Sequence, residues 1–256
     1  VLVSPEASPT NDFSAFEMLE EEVKENYPGH LVRWAFTDET VIEQVRKDRF
    51  IYFTKRADGR EPDDVIGMLG REGYRRVLLQ PLSMLPLEKM HSLRERSYGN
   101  VDVVFGEPVI NSETDIDDVL QALDSNITPE RTTIIVAPGD ADYVPHENLL
   151  VNFADAMESA HQDTFVMSAE GEPGERRLRE AQVHARESGR VHIIPFVLMP
   201  RRDAITHRIF RTQESWRELI ASPKTTFGES MVYESDILDM LMEKIGESLR
   251  RSTNVQ

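Results

Sequence analysis

The sequence predicts an α/β protein of two similar lobes, each a four-stranded parallel sheet flanked by helices, with a cleft between the lobes. Three observations carry this. Short β runs alternate with amphipathic helical stretches, the signature of parallel strands joined by crossover helices. The alternation restarts near the middle of the 256-residue chain. The two halves also share a spacing. Val77-Leu-Leu-Gln-Pro81 and Val191-His-Ile-Ile-Pro195 each carry a second proline nine residues after the valine, Pro86 and Pro200, and each follows a glycine, Gly73 and Gly189. Matching features in the same order argue for a duplicated unit.

The elements follow in order. Val1–Ser4 is an apolar run ended by Pro5, and 12–26 sets Phe13, Phe16, Leu19 and Val23 at helical spacing. Residues 31–36 read as a strand, and Thr37–Asp38 cap a helix over 39–47. Arg49–Tyr52 fits either state. A helix over 62–72 has proline in its first turn and Gly73 as its stop. Strands at 77–82 and 101–106 enclose a helix at 87–96, and a helix at 116–123 closes the first half. The second half opens at Ile134-Ile-Val-Ala-Pro138, much as the first opens at Val1-Leu-Val-Ser-Pro5. Strands are expected at 132–137, 165–168, 191–199 and, extended, 225–233; helices at 147–160, 175–187, 203–220 and 235–250. The boundary falls in 124–130, dividing the chain into lobes 1–126 and 127–256.

Composition narrows the function. The net charge of -17 repels nucleic acid phosphates. No apolar run reaches the roughly 18 residues of a membrane helix; the longest lies around Ile193–Pro200. The absence of cysteine excludes disulfides, thiolate metal sites and cysteine nucleophiles. Nothing signal-like follows Val1, so the expectation is a cytoplasmic protein, or a periplasmic one if a leader preceded Val1. No phosphate loop, dinucleotide fingerprint or His-Glu-x-x-His is present. Ligands of such sheets bind beyond the carboxyl ends of the strands, which singles out the loops at 5–8, 83–89, 138–143 and 200–203.

Several segments resemble the anaerobic sirohydrochlorin cobalt chelatases, a branch of the class II chelatases. Arg33-Trp-Ala-Phe-Thr37 resembles that family's Arg-Ala-Phe-Thr, and Glu72-Gly-Tyr-Arg-Arg-Val77 with Gln80 resembles its third strand. Gly106-Glu-Pro108, Gln121-Ala-Leu123, Asp203-Ala-Ile205 and Ser215-Trp216 continue the match in order. The resemblance implies a tetrapyrrole held between the lobes and insertion of Co²⁺ or Fe²⁺ into it. It also implies metal ligands and a base, a task suited to neutral imidazole. At the positions where the family carries its histidines this chain has Pro138 in Ala137-Pro-Gly139, Asp203 in Arg202-Asp-Ala-Ile205, and Ser83. The family's acidic partner falls at Lys89, or at Glu88 with a slip of one residue, and the first loop reads Ser4-Pro-Glu-Ala-Ser8.

Candidate site residues follow from these places. Asp203 and Glu88 are the candidate catalytic groups, while Pro138 and Lys89 stand as substitutions. Pro5, Glu6, Ser83, Met84, Arg201 and Arg202 are candidate ligand contacts; arginine grips carboxylates in a fork, and tetrapyrroles carry carboxylates. Asp203, His207 and His146 are candidate metal ligands. Each has a plainer use. Asp140 and Asp203 would most often cap the helices that follow them, and histidines without a partner at motif spacing are mostly surface groups. Met84 and Met199 occupy matching places in the repeat, where a thioether can ligate haem iron but usually fills a core. Carboxylates at Glu6, Glu88, Asp140, Asp142 and Asp203 suit a hard cation better than cobalt. Three functions remain open. The chain is a divergent chelatase, a tetrapyrrole or haem carrier derived from one, or a two-lobed binder of another small molecule. A homo-oligomer is compatible with each.

Overall fold

The computed structural model describes residues 1–5, 13–47, 60–169, 171–200 and 224–253. Strands β1 (Leu2–Ser4), β2 (Trp34–Phe36), β3 (Arg76–Pro81) and β4 (Asp102–Phe105) form one sheet in the order β2-β1-β3-β4. Strands β5 (Thr132–Ala137), β6 (Thr164–Ser168), β7 (Val191–Pro195) and β8 (Thr225–Phe227) form a second in the order β6-β5-β7-β8. Every pairing is parallel, and Val77 and Val191 lie on the third strand of their respective sheets. Helices α1 (Phe13–Asn26), α2 (Glu39–Lys47), α3 (Pro62–Arg71), α4 (Glu88–Arg94) and α5 (Glu113–Leu123) belong to the first half of the chain. Helices α6 (Val144–Ala160), α7 (Glu175–Ser188) and α8 (Ser235–Thr253) belong to the second. The helix expected over 203–220 and the ambiguous 49–52 lie outside the described residues.

The pleat sorts each strand's side chains between two cores. On β5, Ile134 and Val136 join the cluster under α7, while Ile135 and Ala137 face the opposite way into the central cluster. On β3, Val77 and Leu79 pack under α3 and α4 with Val65, Leu69 and Leu93. The central cluster is continuous from one lobe to the other. It runs from Phe16, Trp34 and Phe36 through Leu82 and Ile110 to Phe153, Val166 and Phe196. Phe153 stacks on Phe196 with centroids 4.5 Å apart, and Phe16 lies 4.8 Å from Trp34. The polar edge of Trp34 is satisfied inside this core by Glu20, whose Oε2 accepts from the indole N–H at 2.9 Å.

The stretch expected to be extended from Thr225 to Tyr233 divides. β8 ends at Phe227, and Met231–Tyr233 form a 3₁₀ turn whose Met231 and Val232 N–H groups donate to Val197 and Leu198. Helix α8 then crosses to the first lobe. Lys244 pairs with Asp115 of α5, Arg251 pairs with Glu107 at 2.8 Å, and the Tyr27 hydroxyl donates to the Met242 carbonyl. Gly246 permits this approach, since a Cβ there would lie 2.7 Å from the Tyr27 oxygen. Among the described residues no helix is long and apolar enough to cross a membrane.

Candidate functional site

In each sheet the strand order reverses between the first and third strands, so the loops leaving β1 and β3, and those leaving β5 and β7, diverge around a crevice. The two crevices meet. Pro5 after β1, Ser83 and Met84 after β3, Pro138 after β5 and Val197–Met199 after β7 line one cavity between the lobes, together with His146 from the first turn of α6. The cavity is about 30 Å³, room for a water or two and far less than a macrocycle occupies. Ser83 is buried and its hydroxyl donates to the Leu85 carbonyl at 2.9 Å. Pro138 offers no side-chain donor or acceptor at all.

His146 is 4% exposed. Its Nδ1 lies 2.9 Å from the Pro86 carbonyl of the other lobe. A carbonyl only accepts, so Nδ1 carries the proton and the lone pair of the neutral ring sits on Nε2. A backbone carbonyl fixing the tautomer in this way is how proteins usually orient an imidazole for metal binding or proton transfer.

The remaining expectations resolve unevenly. Glu88 and Lys89 begin α4 beside the cavity, next to its lining residue Leu87, and Glu88 is exposed. Asp140 does not cap the helix that follows it. Tyr143 is the N-cap of α6, while the Asp140 carboxylate reaches across to the other lobe and accepts the Glu88 N–H at 3.3 Å, at the amino end of α4. Met84 and Met199 are both buried and line the cavity, but they are not equivalent. The Val109 and Ile110 N–H groups bond the Ser83 and Met84 carbonyls as those of Met231 and Val232 bond Val197 and Leu198, which pairs Met84 with Leu198. Glu6, Arg201, Arg202, Asp203 and His207 lie outside the described residues. Among the described residues no three His, Asp or Glu side chains gather where they could hold a metal ion.

Three other described histidines have local partners. His184 meets Asp163 at 2.8 Å and the Phe165 ring, His161 lies 3.5 Å from Asp124, and His192 on β7 meets the Thr226 hydroxyl at 2.8 Å. Burial and the nearby Arg131 hold His192 down to about 4. The sequence reading gave no role to Tyr143 or Arg94, which line a small pocket beside the cavity. Tyr143 ends the loop at 138–143 already singled out, and Arg94 follows the loop at 83–89 on the next helix.

Comparison with known proteins agrees with this geometry. Residues 8–231 match the model of the cobalt chelatase CbiK family. SirB from Bacillus subtilis with Fe³⁺ superposes with a TM-score of 0.60 at 12% identity, over 99% of this chain and 96% of that one. CbiX, described as the terminal enzyme of siroheme biosynthesis in denitrifying bacteria, gives 0.56 at 13% identity over 96% and 97%. DR2241 from Deinococcus radiodurans, a multi-domain protein with structural similarity to chelatases, gives 0.54 at 14% identity over 96% of this chain and 55% of that one. Two like-ordered parallel sheets that meet at their switch points, with a family match over most of the chain, place this protein in the cobalt chelatase CbiK family.

Proposed function

We propose that the protein binds a tetrapyrrole between its lobes and inserts Co²⁺ or Fe²⁺ into it weakly or not at all. One observation carries the reading: the switch-point loops of both sheets converge on a single cavity, where the resemblance-implied imidazole positions are Ser83 and Pro138. A chelatase must hold its metal substrate while a base takes two protons from the pyrrole nitrogens. Proline can do neither, and the Ser83 hydroxyl already donates to Leu85. His146 is the described residue best suited to the base, with its tautomer fixed by Pro86. Asp203, His207 and Glu88 complete the proposed set; a carboxylate is the weaker base at neutral pH, with an ordinary pKa of about 4. The narrow cavity means that binding requires the lining to part, since the ligand has to enter between surfaces now in contact.

The test is absorbance titration with sirohydrochlorin and with haem, followed by a Co²⁺ insertion assay on the sirohydrochlorin complex. Saturable spectral shifts with insertion far slower than that of a histidine-bearing relative are expected. Turnover comparable with that relative overturns the loss of activity. Absence of binding to either tetrapyrrole overturns the cleft assignment and favours a binder of another small molecule.

A further inference from the structure

A second pocket, of about 120 Å³, opens beside the cleft cavity and shares Ser83 and Leu87 with it. Its lining contains no Asp or Glu, although the chain carries 46 acidic residues. Leu87 and Met90 give it an apolar side, and Arg94, His91 and Tyr143 a polar one. Tyr143 comes from the other lobe and faces His91 with ring centroids 5.9 Å apart. Arg94 ends α4. Its guanidinium donates to the Gly106 carbonyl at a long 3.4 Å and lies over the Phe105 ring, 5.5 Å from the centroid. Gly106 has no room for a side chain, since a Cβ would stand 2.0 Å from the Gln80 Oε1. Among the described residues no carboxylate pairs with Arg94, while its neighbours His91 and Arg96 meet Glu95 and Asp63. A cation oriented by a carbonyl and a ring, without a carboxylate, in a pocket that adjoins a ligand cleft is arranged to receive an anion.

We propose that this pocket is a carboxylate subsite of the cleft, taking a short carboxyalkyl arm of the bound ligand. The methylenes of the arm lie on Leu87 and Met90, the carboxylate meets the fork of Arg94, and Tyr143 and His91 close the wall. An arm seated here touches both lobes and so fixes the macrocycle's orientation in the cleft. The inference rests on the tetrapyrrole reading of that cleft.

The full-length chain is titrated with sirohydrochlorin and with its fully methyl-esterified form, for the wild type, Arg94→Gln and Arg94→Lys. Arg94 keeps an exposed side in this pocket, so its forked pair with a carboxylate makes the free acid bind about three- to ten-fold more tightly than the ester. Arg94→Gln removes most of that preference and leaves the ester's affinity unchanged. Arg94→Lys, which keeps the charge without the fork, falls between the two. Equal weakening of acid and ester in both variants identifies a structural role and overturns the proposal, as does an unchanged preference. Failure of the wild type to bind either form overturns the cleft reading as well, an outcome distinct from binding that ignores Arg94.

Discussion

His146 contributes a bond between the lobes through Nδ1, and the roles of its two nitrogens can be separated by substitution. His146→Ala removes the Nδ1–H donor from the Pro86 carbonyl and truncates a ring that is 4% exposed. Loss of the bond with the carbonyl left unmet costs about 1–3 kcal/mol, and the hole left by the ring adds about 1 kcal/mol. A total near 3 kcal/mol lowers the melting temperature by roughly 6–12 °C at this chain length. His146→Asn behaves differently. Its amide nitrogen stands where Nδ1 stood and can still donate to Pro86, so the expected cost is about 1 kcal/mol. Nothing in asparagine replaces Nε2, so whatever insertion the protein performs is lost in both variants. The assays are urea unfolding at neutral pH and single-turnover insertion of Co²⁺ into sirohydrochlorin. Equal destabilisation by Ala and Asn refutes the inter-lobe bond as the structural role of His146. Residual insertion at the wild-type rate in His146→Asn refutes its role as the base.

Three other outcomes follow from the same reasoning. The folded-state pKa of His192 lies at about 4, below its ordinary 6.5, so the unfolded chain binds the extra proton between these values; stability is fully present above about 6.5 and falls as the pH drops towards 4, and His192→Asn flattens that slope in pH-dependent urea melts. For Asp115, burial raises the pKa, but the Lys244 ammonium, the Asn111 N–H and Ser112 together outweigh it and hold it below 3.8. Its contribution persists above that value and is lost as pH falls through the folded pKa. Lys244→Met, which leaves the carboxylate its other donors, costs about 2 kcal/mol at neutral pH, and a cost near zero would show that α8 is held to α5 by other contacts. Pro138→His places a second imidazole in the cavity with His146; Co²⁺ at a hundred times its dissociation constant then stabilises the fold by about 2.7 kcal/mol, a melting shift that His146→Ala in the same background abolishes.

The parts of this structure that could be read from the sequence are those governed by local periodicity. The continuous apolar run Ile134–Ala137 reads as a strand buried on both faces, with Ile134 and Ile135 on opposite sides, and the Val–Pro spacing puts Val77 and Val191 on corresponding strands. Because strands in such a sheet share a direction, residues just past them converge, which is how Pro5, Ser83 and Pro138 come to line one cavity. What depends on the partner of a residue was not legible. Amphipathic spacing shows that α8 buries a face, but chain order suggests the second lobe, whereas Lys244 and Arg251 bind it to the first. Met84 and Met199 match in residue type alone; the offset that pairs Val77 with Val191 and Pro86 with Pro200 already sets Met84 against Leu198, as the hydrogen bonds do.

Asp140 is the instructive case. An aspartate before a helix is ordinarily its cap, but this helix starts only at Val144 with Tyr143 as its N-cap, leaving the carboxylate to reach Glu88 in the other lobe. Tyr143 meets His91 and His146 meets Pro86 across the same gap. The segment from Asp140 to His146 therefore works as a seam against Pro86–His91. Of the polar atoms a metal substrate would need near Pro138, the Asp140 Oδ2 and the His146 Nδ1 are engaged in that seam. A metal that leaves these bonds intact would meet the other nitrogen of His146, and one that takes Asp140 Oδ2 or His146 Nδ1 would break this contact, while the central core and α8 still join the lobes. The same contact borders the cavity of about 30 Å³ through Leu87 and His146. On the proposed reading, opening for a tetrapyrrole would also release these polar groups, because the contact between residues 86–91 and 140–146 borders the cavity.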